Sequence, residues 1–165
     1  MSEVRVGQGF DAHRFRTGRR LRLCGVDLPG EVGLDGHSDA DVALHAVTDA
    51  ILGAAGAGDL GDHFPSGDPR WRDADSRDLL RAVLALAAGR GLRVVNCDLT
   101  IIAERPRIAP YRPVLREALA GLLGVPVEAA SVKATTTEGL GWTGRGEGVA
   151  ALAVVLLERD GRGRD

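Results

Sequence analysis

Three residues in the first third of this 165-residue sequence have the types and spacing of a metal site. Asp11 and His13 lie two positions apart in the segment GFDAH, and alternate side chains of a strand share one face. His45, in the segment DADVALHAVTDA, is predicted to lie on a helix and to supply a third ligand. Two imidazoles and one carboxylate leave zinc one open position, as in catalytic rather than structural sites. These residues predict a metal-assisted enzyme.

Other polar residues around this trio suggest supporting roles. Asp41 and Asp49 lie one helical turn to either side of His45, so either carboxylate could hold the far imidazole nitrogen. For Asp41, capping of the helix is the favoured alternative. His37 precedes the predicted helix start, where a loop residue can approach a substrate phosphate. His63 is assigned to the surface of a loop, since its Gly- and Pro-rich segment does not support helical spacing.

A second block, KATTTEGLGWTGRGEG, extends from Lys133 to Gly148. Its threonine hydroxyls and backbone N–H groups can surround phosphate oxygens. Glu138 could hold a second hard cation, such as magnesium, on a diphosphate. Arg145 could contact an anion or pair with Glu147. A Gly-rich turn between strands is the alternative interpretation of this block.

Alternating strands and helices must position both the three candidate metal ligands and the block from Lys133 to Gly148. Ser38 is predicted to cap the first helix, with Asp41 in a capping-box position. Residues 61–75 form the obvious long loop. The other predicted elements are strands at Val4–Arg14, Val94–Ala103, Ser131–Ala134 and Gly148–Glu158, two short strands within Leu21–Leu28, and helices from Asp75 or Ser76 to Gly89 or Gly91 and at Tyr111–Leu123.

The segment GQGFDA formally fits a dinucleotide-binding pattern, but no apolar-periodic helix follows it. This missing context argues against a Rossmann fold. We instead expect Gly7 and Gly9 to give the backbone room beside the metal ion. A solvated loop face is expected for the arginines that follow the first strand, namely Arg14, Arg16, Arg19, Arg20 and Arg22.

Composition bounds the remaining possibilities. With 44% apolar residues, the length fits one domain, predicted over residues 1–159 with a frayed tail at 160–165. A net charge of −2 and 4% aromatic residues argue against nucleic-acid binding and favour a small-molecule substrate. Cys24 and Cys97 are too few for a disulfide framework, so a cytoplasmic location is expected. The longest apolar run, Val149–Leu157, is far shorter than the roughly 20 residues that span a bilayer.

Four blocks, in this order and at these separations, resemble the 2-C-methyl-D-erythritol 2,4-cyclodiphosphate synthase family of the non-mevalonate isoprenoid pathway. They are GFDAH, GHSDADVALHAVTDAILGAAGAGDLGDHFP, DLTIIAERPRIAP and KATTTEGLGWTGRGEG. The resemblance covers nearly the whole chain and matches the monofunctional form. It implies an α/β (α+β) domain with a small mixed β-sheet flanked by helices, assembled as a homotrimer with active sites between subunits.

The resemblance also implies a role for each matching position. Asp11, His13 and His45 would bind zinc, with manganese or cobalt as alternatives, and Glu138 would bind magnesium or manganese on the substrate diphosphate. His37 and Thr136 would stabilise the transition state. The methylerythritol phosphate end would contact Asp11, Ala12, His13, His37, Ser38, Asp59, Leu60, Gly61, Phe64, Pro65, Ser66, Gly67 and Asp68. The cytidine diphosphate end would contact Ala103, Glu104, Arg105, Pro106, Arg107, Ile108, Ala109, Ala134, Thr135, Thr136, Thr137 and Glu138, and Trp142 and Arg145 would contact the substrate or the trimer axis.

Two other functions use the same residues. A zinc phosphohydrolase would use the three ligands to activate water. A non-catalytic binding protein would use zinc to tie the first strand to the first helix. The implied reaction differs from both, because a phosphate of the substrate attacks the β-phosphorus of the same molecule and releases CMP without consuming water.

Overall fold

A five-stranded mixed sheet is the framework of the computed structural model, which describes residues 3–30 and 32–159. The predicted frayed tail at 160–165 lies outside the described residues. The strands are β1 (Val4–Thr17), β2 (Leu21–Leu23), β3 (Val26–Leu28), β4 (Val32–Leu34), β5 (Leu92–Ile102), β6 (Ala130–Thr135) and β7 (Gly148–Arg159). The helices are α1 (Val42–Ala55), α2 (Leu60–His63), α3 (Ser76–Gly89), α4 (Arg112–Leu123) and α5 (Gly141–Gly144).

The strand order in the sheet is β4-β1-β7-β5-β6, and β2 pairs with β3 in a separate hairpin. β1 lies antiparallel to β7 from Val4 opposite Glu158 to Arg14 opposite Gly148. β5 is antiparallel to β7 but parallel to β6. The predicted single α/β domain with a small mixed sheet is therefore confirmed. β4 was not predicted, because its three residues, Val-Gly-Leu, show no alternation of apolar and polar side chains.

Helices cover one face of this sheet. Along β7, Ala151, Ala153 and Val155 are fully buried, whereas Val154 between them is 38% exposed. α1 packs against β1, β7 and α3, and α3 in turn packs against α4. The opposite face is left open, and β1 exposes Phe10 on it, together with Val4 and Val6. The sheet is thus apolar on both faces, but the helices of this chain cover one of them.

Two glycines of β1 allow α1 to approach the sheet closely. A Cβ added to Gly7 would lie 1.9 Å from the carbonyl oxygen of Ala50, and one added to Gly9 would lie 2.0 Å from that of Ala46. Both distances are far below van der Waals contact. The expectation that these glycines make room beside a metal ion is wrong, because the space they leave is filled by the α1 backbone.

The first helix begins later than expected. Asp41, not Ser38, is its N-cap, and the Asp41 carboxylate accepts from the backbone N–H of Leu44. The same carboxylate also accepts from the N–H groups of Cys24 and Gly25, which fastens the β2–β3 hairpin to the helix start. Burial raises the pKa of Asp41 to about 6, although the hydrogen bonds from Leu44 and Gly25 act in the opposite direction.

A survey of the described ranges, 3–30 and 32–159, finds no helix of the length and apolar character needed to cross a membrane.

We predict that Gly9→Ala strongly destabilises the fold, because its methyl group cannot avoid the Ala46 carbonyl without displacing α1. The cost should be several kcal/mol, at or above the 1–3 kcal/mol typical of overpacking. Gly121→Ala is the matched control, since Gly121 lies within α4 with open space at its Cβ position. That control should be neutral or stabilise by up to about 1 kcal/mol. Urea unfolding of both variants measures the difference, and equal midpoints would contradict the prediction.

Candidate functional site

The three residues at the centre of the site come from β1 and α1. Asp11 and His13 lie on the same face of β1, and His45 lies one turn into α1, which the two glycines hold against that strand. Asp11 Oδ2 lies 2.9 Å from His13 Nε2 and 3.0 Å from His45 Nδ1. The two imidazole nitrogens are 3.1 Å apart. One ligand atom from each residue thus lies within 4.8 Å of the other two.

The donor set fits a divalent cation. His13 Nδ1 lies 2.6 Å from the backbone carbonyl oxygen of Asp35, which can only accept a hydrogen bond. His13 in its neutral form therefore carries its proton on Nδ1 and turns the lone pair of Nε2 toward Asp11 and His45. A carboxylate oxygen and imidazole lone pairs that face one another repel unless a positive charge lies between them. Two nitrogens and one oxygen match the ligand preferences of zinc and similar metals.

The same contacts shift the pKa values of the ligands. Burial alone would raise the pKa of Asp11, but its close contacts with the His13 and His45 rings outweigh burial and hold that pKa well below its usual value. Burial alone would lower the pKa of His13, whereas the adjacent Asp11 carboxylate raises it, with a net upward shift. Asp11 is therefore ionised at neutral pH, which is the form that binds a cation.

Neither predicted carboxylate holds the far nitrogen of His45. Asp41 caps α1 instead, and Asp49 accepts from the backbone N–H of Leu60, 3.0 Å away. The far nitrogen, Nε2, lies between the hydroxyl groups of Ser38 and Ser76. The favoured capping role of Asp41 is thus confirmed, whereas a carboxylate partner for His45 is not found at either position. The partners of this ring nitrogen are 7 and 31 positions away in sequence, beyond the reach of a one-turn spacing argument.

The loop that carries His37 and Ser38 is fastened by Arg19. The Arg19 guanidinium donates to three backbone carbonyls, those of Leu34, Gly36 and Ser38, at 3.3, 3.3 and 2.6 Å. The carbonyl of His37 itself accepts from the backbone N–H of Asp73 at 2.8 Å. This segment, which precedes α1, is thus held from two sides.

Two of the arginines do not form the solvated face that was predicted. The side chains of Arg19 and Arg22 are 26% and 18% exposed, and Arg22 contacts Asp27, Asp39 and Asp75. Arg16 and Arg20, at 62% and 81%, are exposed as expected. These two partly buried arginines bind backbone carbonyls and carboxylates that the sequence pattern could not reveal.

A cavity of about 250 Å³ opens over the three ligands. Nine of its lining residues belong to the predicted site, namely Asp11, His13, His37, Ser38, His45, Leu60, Gly61, Phe64 and Ser66. Trp71 and Leu79 also line it and were missed. Trp71 packs edge-on against Phe64 at a ring-centroid distance of 5.0 Å. A tryptophan in a loop otherwise rich in Gly, Pro and Asp was the one available signal.

Part of the long loop between α1 and α3 is helical. Asp59 and Asp62 form a capping box that starts the one-turn helix α2, and Pro69–Trp71 form a 3-10 turn. His63 ends α2 and contacts the Ala57 carbonyl oxygen at 2.8 Å. The assignment of His63 to an open loop surface is therefore wrong, because the capping box compensates for the low helix propensity of the glycines around it.

The other predicted residues of the methylerythritol phosphate end do not line this cavity. The carbonyl of Asp68 lies 3.3 Å from His37 Nε2. Ala12 lines a different cavity, with Trp142, because its side chain points to the face of β1 opposite Asp11. Asp59, Pro65 and Gly67 do not line the cavity.

The predicted nucleotide residues form a second group at the ends of the parallel strands β5 and β6. Ala103 N–H donates to the Thr135 carbonyl at 3.0 Å. The carboxylate of Glu104 accepts from the N–H groups of Thr137 and Gly139. The structure thus brings the segments Ala103–Ala109 and Ala134–Glu138 together, as the resemblance implied.

This second group does not line the cavity over the candidate metal ligands. β5 lies two strand positions from β1 and β6 lies three, which corresponds to about 10 and 14 Å between strands. None of the residues in 103–109 or 134–145 lines that cavity. Arg105 and Pro106 line a separate groove with Phe15 of β1 and Val32 of β4, and Arg145 pairs with Glu147 on the surface. One chain therefore presents two groups of predicted site residues, which we call the two half-sites.

Comparison with known proteins gives a consistent result. The model of the YgbB family matches residues 4–158. The chain is 59% identical over 155 residues to a 2-C-methyl-D-erythritol 2,4-cyclodiphosphate synthase of Geobacillus kaustophilus, covering 94% of this chain and 98% of the relative. It is also similar to a solved CDP-bound synthase of that name, with a TM-score of 0.85, 42% identity and coverage of 93% and 99%. The bifunctional IspDF of Campylobacter jejuni superposes with a TM-score of 0.92 and 39% identity, over 96% of this chain and 43% of that one.

We predict that Arg19→Ala destabilises the protein by about 2 kcal/mol, because three partly buried carbonyls lose a charged donor. The neighbouring Arg20→Ala serves as the control, since that side chain is 81% exposed and, among residues 3–30 and 32–159, pairs with Asp27. It should change stability by less than about 0.5 kcal/mol. Thermal unfolding compares the two variants, and hydrogen exchange should rise at residues 35–39 in Arg19→Ala alone. Similar behaviour of both variants would show that Arg19 does not hold the loop.

Proposed function

The chain belongs to the YgbB family, and on that premise we propose that it is a cyclising phosphorus–oxygen lyase of the non-mevalonate isoprenoid pathway. Its substrate is 4-diphosphocytidyl-2-C-methyl-D-erythritol 2-phosphate, and its products are 2-C-methyl-D-erythritol 2,4-cyclodiphosphate and CMP. The observation that carries the proposal is the convergence of Asp11, His13 and His45 on one point at the base of a cavity.

The reaction explains why the site contains few titratable side chains. An oxygen of the 2-phosphate forms a bond to the β-phosphorus, and the bond from that phosphorus to the bridging oxygen of CMP breaks. A phosphate monoester has a second pKa near 6, so the nucleophile is already largely a dianion at neutral pH. No side chain has to remove a proton. The chain must instead neutralise charge and hold a flexible molecule in a folded conformation.

Zinc is the metal that we propose for the Asp11, His13 and His45 site, with manganese or cobalt as alternatives. Three protein ligands leave one position for a phosphate oxygen. A cation bound there supplies Lewis-acid polarisation of the phosphoryl group. His37 lines the same cavity, in a loop whose backbone is fixed by Arg19 and Asp73, so it can donate a hydrogen bond to a phosphate oxygen without reorganisation.

The second half-site is proposed to bind the cytidine diphosphate. Thr136 Oγ1 lies 3.3 Å from Glu138 Oε1, and both side chains are exposed. Glu138 is proposed to bind magnesium or manganese on the diphosphate, and Thr136 to contact the transferring phosphoryl group. Backbone groups of Ala103–Ala109 and Ala134–Thr137 would hold the nucleotide, and the solved relative bound to CDP supports a nucleotide site in this family.

We propose that the active site is completed between subunits of a homotrimer. The half-sites of one chain lie on strands about 10 to 14 Å apart across the sheet and line different cavities, whereas the reacting phosphates belong to one small molecule. The open apolar face of the sheet, with Phe10 54% exposed, is a suitable surface for a second copy. Holding both ends of the substrate supplies up to roughly 7–11 kcal/mol toward an intramolecular reaction.

The proposed function also includes the bounds of the enzyme domain and its cellular compartment. Residues 1–159 form the functional domain, which agrees with the family match over residues 4–158. A cytoplasmic location is proposed, since Cys24 and Cys97 are both free and buried and a reducing compartment would keep them so. The proposed substrate is a small molecule, and neither nucleic acid nor a membrane takes part.

Oxygen-18 water separates the proposed reaction from hydrolysis. We predict that the purified protein, with zinc and magnesium, converts the cytidine-linked substrate to a cyclic diphosphate with no label in its phosphates or in CMP. His13→Ala should remain folded and bind a cytidine nucleotide, but should lose metal and turnover, at least about 10²-fold, because one ligand is removed. His63→Ala, whose ring contacts the Ala57 carbonyl and does not line the cavity over the candidate ligands, should retain both. Mass analysis detects the label, and its incorporation would indicate a phosphohydrolase.

Mixing two inactive variants tests the interfacial site. His13→Ala removes a metal ligand, and Thr136→Ala alters the other half-site, so each homotrimer should be inactive. Random mixed trimers formed by co-refolding should regain about one quarter of wild-type activity, because that share of interfaces pairs two intact halves. Absence of any recovery, despite mixed trimers detected by native mass spectrometry, would place both halves of the site in one chain.

A further inference from the structure

The far nitrogen of His45 is held by a buried chain of polar groups that begins on another helix. His45 Nε2 lies 3.0 Å from Ser76 Oγ and 3.1 Å from Ser38 Oγ. Ser76 is the first residue of α3 and is fully buried. Its hydroxyl also contacts Asp39 Oδ1 at short range. The contacts therefore link the first helix, the third helix and the loop between β4 and α1.

The direction of these hydrogen bonds follows from the chemistry of the partners. An ionised carboxylate can only accept, so the single hydroxyl proton of Ser76 points to Asp39. The backbone N–H of Ser76 donates to the other oxygen of Asp39 at 3.0 Å, which fixes the carboxylate in place. Ser76 Oγ then has lone pairs, and no proton, for His45 Nε2. The contact between Ser76 and His45 requires the proton to be on Nε2.

Ser38 does not decide the tautomer, since its hydroxyl can rotate. Its oxygen accepts from the Ala40 N–H at 3.2 Å, which leaves its proton free to turn either toward His45 or away from it. Ser76 has no such freedom while Asp39 holds its proton. Ser76 is thus the partner that distinguishes the two tautomers of His45.

We propose that Ser76 and Asp39 are positioning residues that hold His45 in the tautomer with its proton on Nε2 and its lone pair on Nδ1. Nδ1 is the atom that faces Asp11 Oδ2 at 3.0 Å and His13 Nε2 at 3.1 Å. The Asp35 carbonyl performs the same task for the other ring. The inference rests on the metal site of the proposed function and assigns roles to two residues outside its ligand set.

Ser76→Ala tests the inference directly. The dissociation constant for zinc is measured by competition with a chromogenic chelator, and we expect it to rise 10- to 100-fold, the range typical when a partner of a metal-bound imidazole is lost. Thr48→Ala is the matched control, since it removes a buried hydroxyl of α1 that donates to the Leu44 carbonyl and does not contact His45. That control should bind zinc within about threefold of the wild type.

A second variant, Asp39→Asn, keeps the proposal testable if Ser76→Ala does not fold. Asp39 Oδ1 accepts from the Asp41 N–H and from Ser76 Oγ, and Oδ2 accepts from the Ser76 N–H, so the amide N–H of Asp39→Asn faces a backbone N–H in either orientation. With the amide at the Oδ2 position it faces the Ser76 N–H, and at the Oδ1 position it also faces Ser76 Oγ. In the latter arrangement the Ser76 proton is released toward His45, and zinc affinity should again fall. Long-range proton–nitrogen NMR of the zinc-loaded protein should show a protected His45 Nε2–H in the wild type and in Thr48→Ala. This signal should exchange rapidly in both test variants.

The possible results distinguish a failure of the positioning role from a failure of the metal site itself. Folded Ser76→Ala and Asp39→Asn variants that bind zinc within threefold of the wild type, with the Nε2–H signal retained, would overturn the positioning role and leave the metal site intact. A wild-type protein that binds neither zinc, cobalt nor manganese would overturn the metal site and the inference together. Weakened binding in both variants, with Thr48→Ala unaffected, supports it.

Discussion

The close approach of α1 to β1 is the constraint on which the rest of the structure depends. The absence of side chains at Gly7 and Gly9 lets the helix backbone lie directly on the strand. Two residues farther along the same face, Asp11 begins the metal-ligand pair, and His45 reaches it from the helix. A larger residue at either glycine would separate strand and helix, and the donor atoms would no longer converge. The contact between β1 and α1 therefore both packs the core and brings the candidate metal ligands together.

A polar site inside an apolar layer needs a complete set of hydrogen-bond partners. Burying an unpaired polar group costs on the order of 1–3 kcal/mol. The ring nitrogens of His13 and His45 that point away from Asp11 therefore each require a hydrogen-bond partner. The structure supplies them from the Asp35 carbonyl and from the serine hydroxyls. Arg19 does the same for the carbonyls of the loop before α1. The rings and the loop before α1 are held in place by these hydrogen bonds rather than by regular secondary structure.

The sheet also separates the two half-sites and leaves one face uncovered. The metal ligands lie on β1, whereas the nucleotide residues follow β5 and β6. Helices cover the face that the ligands occupy, and exposed apolar residues, including Phe10 and Val154, lie on the other. Both features are explained if copies of the chain assemble, since assembly buries the apolar face and brings one subunit's nucleotide residues toward another's metal site.

The sequence by itself determined the element types, the mixed sheet, the metal-ligand trio and the family. These follow from local signals: period-2 and period-3.6 patterns, the two-residue spacing of Asp11 and His13, and motifs that keep their order along the chain. Tertiary structure alone decided what contacts the far nitrogen of His45, why Gly7 is a glycine and which arginines are buried. Ser76 lies 31 positions from His45, and no local pattern encodes a hydrogen bond across such a separation. Those contacts arise only when helices and strands pack, because packing sets the distances between their side chains.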